Sequence, residues 1–276
     1  MNQKTEPSKK EAVKAETPPL VAVSTVSIDD LSGFESYPKQ VQSLVQSALA
    51  LTRLELSCLH GSHEPNKGGM DCSGTVYHVL QFQGLKGVPR QSDEMCQWVE
   101  KKTQLHLTPT AIAFDHAEFM NLKPGDLLFW TNTMETKRKL PVTHVMIYLG
   151  KLKKSGKRVV FGASDGRSFE GLRRSGVSVF DFHLPKAEST SKFHGYGTAP
   201  GLLPATSPVV VVVSKPGEEV RKATVAETKP KTSSSPVKQP ASKPVSVKKR
   251  TPPPPPKSAV EKRLDRAVDS VRRFFK

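Results

Sequence analysis

An α+β fold, with helices packed on an antiparallel β-sheet, is the class this sequence predicts, and three observations carry it. Apolar residues recur at helical spacing between about residues 38 and 104, and the period shortens to that of strands after residue 122. The strand-like runs are separated by short stretches of Gly, Pro, Ser, Asp and Lys, which are turn material. The helical block precedes the strand block, the order of an α+β domain built on a meander.

The elements follow in order. In PKQVQSLVQSALALTRLEL, Val41, Leu44, Val45, Ala48 and Leu51 line one face of an amphipathic helix. CLHGSHEPNKGG is a turn-rich loop. A second helix starts at Cys72, carries Val76, Val79, Leu80 and Phe82 on one face, and stops at Gly84, a C-cap residue. QSDEMCQWVEKKTQ is a third, shorter helix. LKPGDLLFW is a Pro-Gly-Asp turn running into a strand. THVMIYLG alternates like a strand with one buried face, and RVVFGAS and VSVFDFH are two more strands. KLKKSGK and DGRSFEGLRRSG read as the turns between them. PVVVVVS at 208–214 is either a last edge strand or an apolar patch in the tail.

The ends of the chain differ from its middle. Residues 1–37 read as a disordered, mixed-charge leader, 38–200 as the folded domain, and 201–256 as a disordered basic linker rich in Pro, Lys and Ser. From Gly201 to Lys276 there are 17 Lys/Arg against 6 Asp/Glu, 12 of the 23 prolines, and only Phe274 and Phe275 as aromatics. Such a stretch buries too little apolar surface to offset its ordering entropy. Residues 257–276 differ again: Val260, Leu264, Ala267, Val268, Val271 and Phe275 line one helical face and Lys/Arg the other. This basic amphipathic helix suits an anionic membrane surface. A nucleic-acid partner is disfavoured, since the apolar face has no role against phosphates. No apolar run reaches the roughly 18 residues of a membrane span, and the N-terminus lacks the about 7–15 apolar residues of a secretory signal. The expected location is therefore cytoplasmic or membrane-associated, or the cell envelope by another route.

The chemistry centres on GGMDCSGTVYHVL, residues 68–80. Three cysteines, Cys58, Cys72 and Cys96, make no disulfide framework. Cys72 opens a helix, where the macrodipole and free backbone amides favour thiolate, and its own amide is an oxyanion donor. Its base must be a group that returns the proton near neutral pH, and His144 in THVMIYLG is the candidate.

DCSG opening a helix, then VPRQS, LKPGDLLFW and THVMIYLG in that order, resemble the NlpC family of papain-like cysteine peptidases, hydrolases of bacterial peptidoglycan stem peptides. The resemblance spans about residues 38–185. It implies a papain-like domain with Cys72 as nucleophile and His144 as base. It further implies that Asp71, Ser73 and Ser92 contact substrate, the first two at its free amine. The sequence departs from the family pattern twice. The side chain that orients the base, usually histidine, matches Gly162, leaving Ser164 or Asp165 as substitutes. An upstream tyrosine is replaced in SCLHGSH, near Cys58 or His60.

Competing readings attach to several residues. Cys58, His60 and His63 form C-x-H-x-x-H without a fourth ligand at suitable spacing, so no metal is expected. Cys96 beside Trp98 reads as buried and inert, His78 as a surface or supporting residue, and Asp126 as a turn residue. The resulting expectation is a cofactor-free, monomeric cysteine hydrolase that cleaves the D-γ-glutamyl–diamino acid bond through a thioester. The alternatives are an inactive wall- or membrane-binding module, or a related thiol amidase or acyltransferase on a non-wall substrate.

Overall fold

The apolar periodicity after Pro38 forms α1 (Lys39–Thr52) in the computed structural model, which describes residues 23–203. A short strand β1 (Ser57–Cys58) pairs in parallel with β2 (Gly69–Met70), and β2 feeds directly into α2 (Cys72–Phe82). Gly84 takes the left-handed conformation (φ 78°) just past α2, as a helix-terminating glycine does. Then come α3 (Ser92–Lys102), β3 (His106–Leu107), β4 (Asp126–Thr131), β5 (Val142–Lys151), β6 (Arg158–Phe169), β7 (Leu172–Asp181) and β8 (Lys192–Thr198). The six strands β3 to β8 form one antiparallel sheet in the order β3-β8-β4-β5-β6-β7. The domain is thus α+β, helices on an antiparallel sheet, as its sequence predicts.

Two apolar layers sandwich the sheet. On one side, Val76, Val79 and Leu80 of α2 and Leu44, Val45 and Ala48 of α1 pack against Phe129, Val145, Ile147, Phe161 and Val179. On the other, Trp130, Met146, Tyr148, Phe180 and Tyr196 lie under Phe119, Phe182 and Phe193. Residues of β4, and all of β5 except Lys151, are therefore buried on both faces. The expectation of a one-sided strand at THVMIYLG is corrected: the second face is covered by the loop around Phe119 and the segment after β7.

Other corrections concern extent. Residues 24–37 belong to the domain and not to a leader, because Val26, Leu31 and Phe34 all enter the core. The Val179 amide donates to the carbonyl of Ser24 at 3.0 Å and the Ser32 amide to Lys151 at 2.8 Å. Too short and irregular for a period, this segment is held by single apolar anchors. Leu202, 2% exposed, likewise extends the core past residue 200. DGRSFEGLRRSG is not a turn: β6 and β7 stay paired to Phe169↔Leu172, so most of it is hairpin. Strand β8 was not foreseen. The leader residues 1–22, the linker, PVVVVVS and the helix at 257–276 lie outside the described residues.

Candidate active site

Asp71 sets the start of α2. Its extended backbone and its carboxylate, accepting from the Gly74 amide at 2.6 Å, make it the N-cap. A Cβ at Gly74 would collide with the carbonyl of Ser62, so glycine in DCSG lets the helix start lie on the preceding loop. The same carboxylate accepts from the Gly61 amide (2.8 Å) and from both guanidinium nitrogens of Arg90 (3.1 and 2.8 Å). Arg90 also donates to Ser73 Oγ at 2.9 Å. Asp71 and Ser73 are thus saturated within the protein, held by helix capping and a bidentate ion pair. A substrate amine at Asp71 and Ser73 would have to compete with these protein partners. Ser92, 2% exposed, donates to the carbonyl of Val142 at 3.0 Å. It ties α3 to the start of β5 and is closed to a substrate.

Cys72 is brought to the base strand. Its Sγ lies 3.9 Å from the carbonyl oxygen of Thr143, and the Val145 amide donates to the sulfur. Both residues flank His144. The position follows from the sheet: β5 and β6 are paired only as far as Ile147↔Phe161, while β6 continues alongside β7. The β5 backbone before Ile147, from Val142 to Met146, is therefore free of β6 and open to the helix start. Beside it, Asn132 to Lys137 and Thr190 line a cleft of about 910 Å³, with Thr133 bonded to Thr143.

Electrostatics revise the sequence expectation for the thiol. Burial pushes the Cys72 pKa up, with Asp71 adding to it, against the pull of the Val145 and Ser73 amides and of Arg90. Desolvation outweighs the helix start, and the group rests as a thiol. Burial, then the nearby Arg167 guanidinium, hold His144 well below its usual range, so the imidazole is neutral. A neutral imidazole is the form that accepts a proton.

His144 is 8% exposed, sits directly across from Trp130, and its ring centroid is 5.6 Å from that indole. Its Nε2 is buried with no hydrogen-bond partner among the described residues. Neither substitute orienter reaches it. Asp165 is exposed, accepts from Ser175 Oγ at 2.9 Å, and bonds Cys58; Ser164 is paired across the sheet with Gly176. At Gly162 the adjacent space is taken by Met146, whose Cγ would lie 2.9 Å from an added Cβ.

Arg167 and Trp130 are the site residues that sequence reasoning missed. The Arg167 guanidinium lies 4.6 Å over the Trp130 ring, close enough to disfavour a proton on His144 and to favour a thiolate at Cys72. Burial brings its pKa down to about 10, which leaves it cationic at neutral pH. Strand alternation through DGRSF was the available signal, masked by its polar residues.

The other cysteines are poor nucleophiles. Burial, with Asp165 for Cys58 and Glu100 for Cys96, pushes each thiol to about 12. His63 packs edge-on against Tyr77, and no three His, Cys, Asp or Glu gather around a metal position among the described residues. Asp126 is 1% exposed and accepts from the Lys123 amide and from Thr198 Oγ1, bracing the turn before β4 against β8.

Comparison with known proteins gives residues 59–174 as a match to the NlpC/P60 family. No curated protein matches the chain. Among solved structures, a "similar to lipoprotein" of the NLP/P60 family from Staphylococcus aureus subsp. aureus Mu50 is 20% identical, with a TM-score of 0.35. The match covers 52% of this chain and 37% of that one, so the chain spans little more than a third of that relative's length.

Proposed function

From the premise that residues 59–174 are an NlpC/P60 family domain, a cell-wall peptidase-like unit, we propose that the protein is a cysteine hydrolase of peptidoglycan stem peptides. Its bond is the amide between D-γ-glutamate and the diamino acid. The observation that carries the reading is the placement of Cys72 Sγ against Thr143 and Val145, the two neighbours of a neutral His144.

In this reading, the Cys72 thiol gives its proton to the imidazole as sulfur attacks the amide carbon. The oxyanion so formed lies at the start of α2, where the Cys72 backbone amide stabilises it. Collapse breaks the C–N bond, and the imidazolium returns the proton to the leaving amine. Water, deprotonated by the same imidazole, then hydrolyses the thioester and regenerates the thiol.

One observation favours a second reading, a catalytically silent wall-binding domain: His144 Nε2 lacks an orienting partner among the described residues while burial keeps Cys72 protonated. Digestion of purified muropeptides, read by mass spectrometry, decides between them. Cleavage at the D-γ-glutamyl bond that is lost in Cys72→Ala is expected. Binding without cleavage would favour the second reading, and cleavage of only non-wall amides would favour a thiol amidase. For residues 257–276, the proposal is weak, salt-sensitive attachment to anionic bilayers at about 1 kcal/mol per basic residue. It is tested by co-sedimentation with anionic and neutral vesicles. Binding indifferent to lipid charge would refute it.

A further inference from the structure

The face of the sheet that carries Trp130 holds polar groups with nothing to bond among the described residues. Trp130 is 1% exposed and its Nε1 has no hydrogen-bond partner among the described residues; His144 is 8% exposed and its Nε2 likewise has none there. The two are a cross-strand pair with rings 5.6 Å apart, and the Arg167 guanidinium lies 4.6 Å over the same indole. An indole nitrogen only donates, and buried donors without acceptors are rare in folded proteins. Two unsatisfied ring nitrogens beside a guanidinium call for one kind of group, an anionic acceptor, and a guanidinium fork matches a carboxylate. Among the described residues no side chain supplies it: Gly162 has none, Met146 is apolar, and Asp165 is engaged with Ser175 and Cys58.

We propose that the substrate supplies it: a carboxylate on the acyl side of the scissile bond binds Arg167 and the Trp130 Nε1–H, accepts the Nε2–H of His144, and takes the place of the missing orienting side chain. With the proton on Nε2, the other ring nitrogen, Nδ1, is the one left to take the thiol proton. The carboxylate itself neither gains nor loses a proton; the thiol proton passes to the imidazole and on to the leaving amine. The inference rests on the peptidase reading and deepens it. In a D-γ-glutamyl amide the free α-carboxylate is on the same residue as the scissile carbonyl, which is the arrangement required. The site then selects D-glutamate over D-isoglutamine, whose α-carboxylate is replaced by an uncharged amide.

The test uses the full chain and two stem peptides identical except for D-glutamate or D-isoglutamine. The chain has 2 tryptophans, so Trp98→Phe assigns the Trp130 indole N–H in an ¹⁵N spectrum. In Cys72→Ala protein, the acid peptide is expected to shift that signal, the amidated peptide to leave it, and Arg167→Gln to abolish the shift. In the active protein, kcat/KM for the acid peptide is expected to be about 10- to 100-fold higher, the worth of one charge-assisted hydrogen bond, and the preference to collapse in Arg167→Gln. Equal cleavage of both peptides overturns the carboxylate role and leaves the peptidase reading standing. A shift specific to the acid peptide with neither peptide cleaved supports the carboxylate site and overturns the peptidase reading. Equal shifts, or none, overturn the inference whatever the turnover.

Discussion

Met146 and Gly162 exchange space across β5 and β6, and a double-mutant cycle measures the exchange. An added Cβ at Gly162 would lie 2.9 Å from Met146 Cγ and 3.5 Å from both its Cβ and Cε. Met146 is completely buried, so it has no open side to move into. Gly162→Ala should cost about 1 kcal/mol, the low end for overpacking, because a methionine chain bends more readily than a branched one. Gly162→His drives a whole ring into that volume and should cost about 3 kcal/mol. Met146→Ala alone leaves a cavity and should cost about 2–5 kcal/mol. If the two side chains share one space, the double variant Gly162→His with Met146→Ala should be more stable than the sum by about 1–3 kcal/mol. Urea unfolding read by circular dichroism gives the midpoints. Costs that add to within about 0.5 kcal/mol would show the space is not shared. The double variant also restores an imidazole on the same strand face as His144. It should therefore gain turnover on amidated peptide, relative to Met146→Ala alone.

Alkylation of Cys72 by iodoacetamide should rise steadily with pH through about 8.5, the ordinary thiol value, without a neutral plateau, because burial holds the group as a thiol. A plateau at pH 7 in mass-spectrometric labelling would show a thiolate instead. Cys96, fully buried, should label more slowly than Cys72 throughout. His144 has a lowered folded pKa, so below about pH 6.5 the unfolded chain binds the extra proton and stability falls as pH falls. Thermal unfolding of wild type against His144→Gln should show that loss between pH 7 and 5 in wild type only; parallel curves would contradict it. Leu31→Ala should cost about 2–5 kcal/mol, since the side chain is fully buried, and a loss under 1 kcal/mol by urea midpoint would return residues 24–37 to a leader. A fragment of residues 23–203 should unfold cooperatively, and rescue that requires residues 204–276 would move the boundary.

What depends on local chemistry was legible in the amino-acid sequence. Asp71, Cys72 and Gly74 announce a capped helix start because an N-cap, a small residue and a close backbone contact are needed there. The apolar periods of α1, α2 and α3, and the strand runs of β4 to β7, follow from burial of one stripe or face, so the α+β class was legible. What the sequence missed is non-local. Strand β8, KFHGYGT, carries two glycines and a histidine that read as loop, and it is a strand because β4 and β3 flank it on either side. The hairpin end DGRSF looked like a turn because its polar residues face a site and not a core. The saturation of Asp71 by Arg90, the burial that overrides the helix start at Cys72, and the meeting of Arg167, Trp130 and His144 come from residues far apart in the chain. Desolvation and pairing depend on what lies across a gap of a few ångströms, and only the tertiary structure sets that distance.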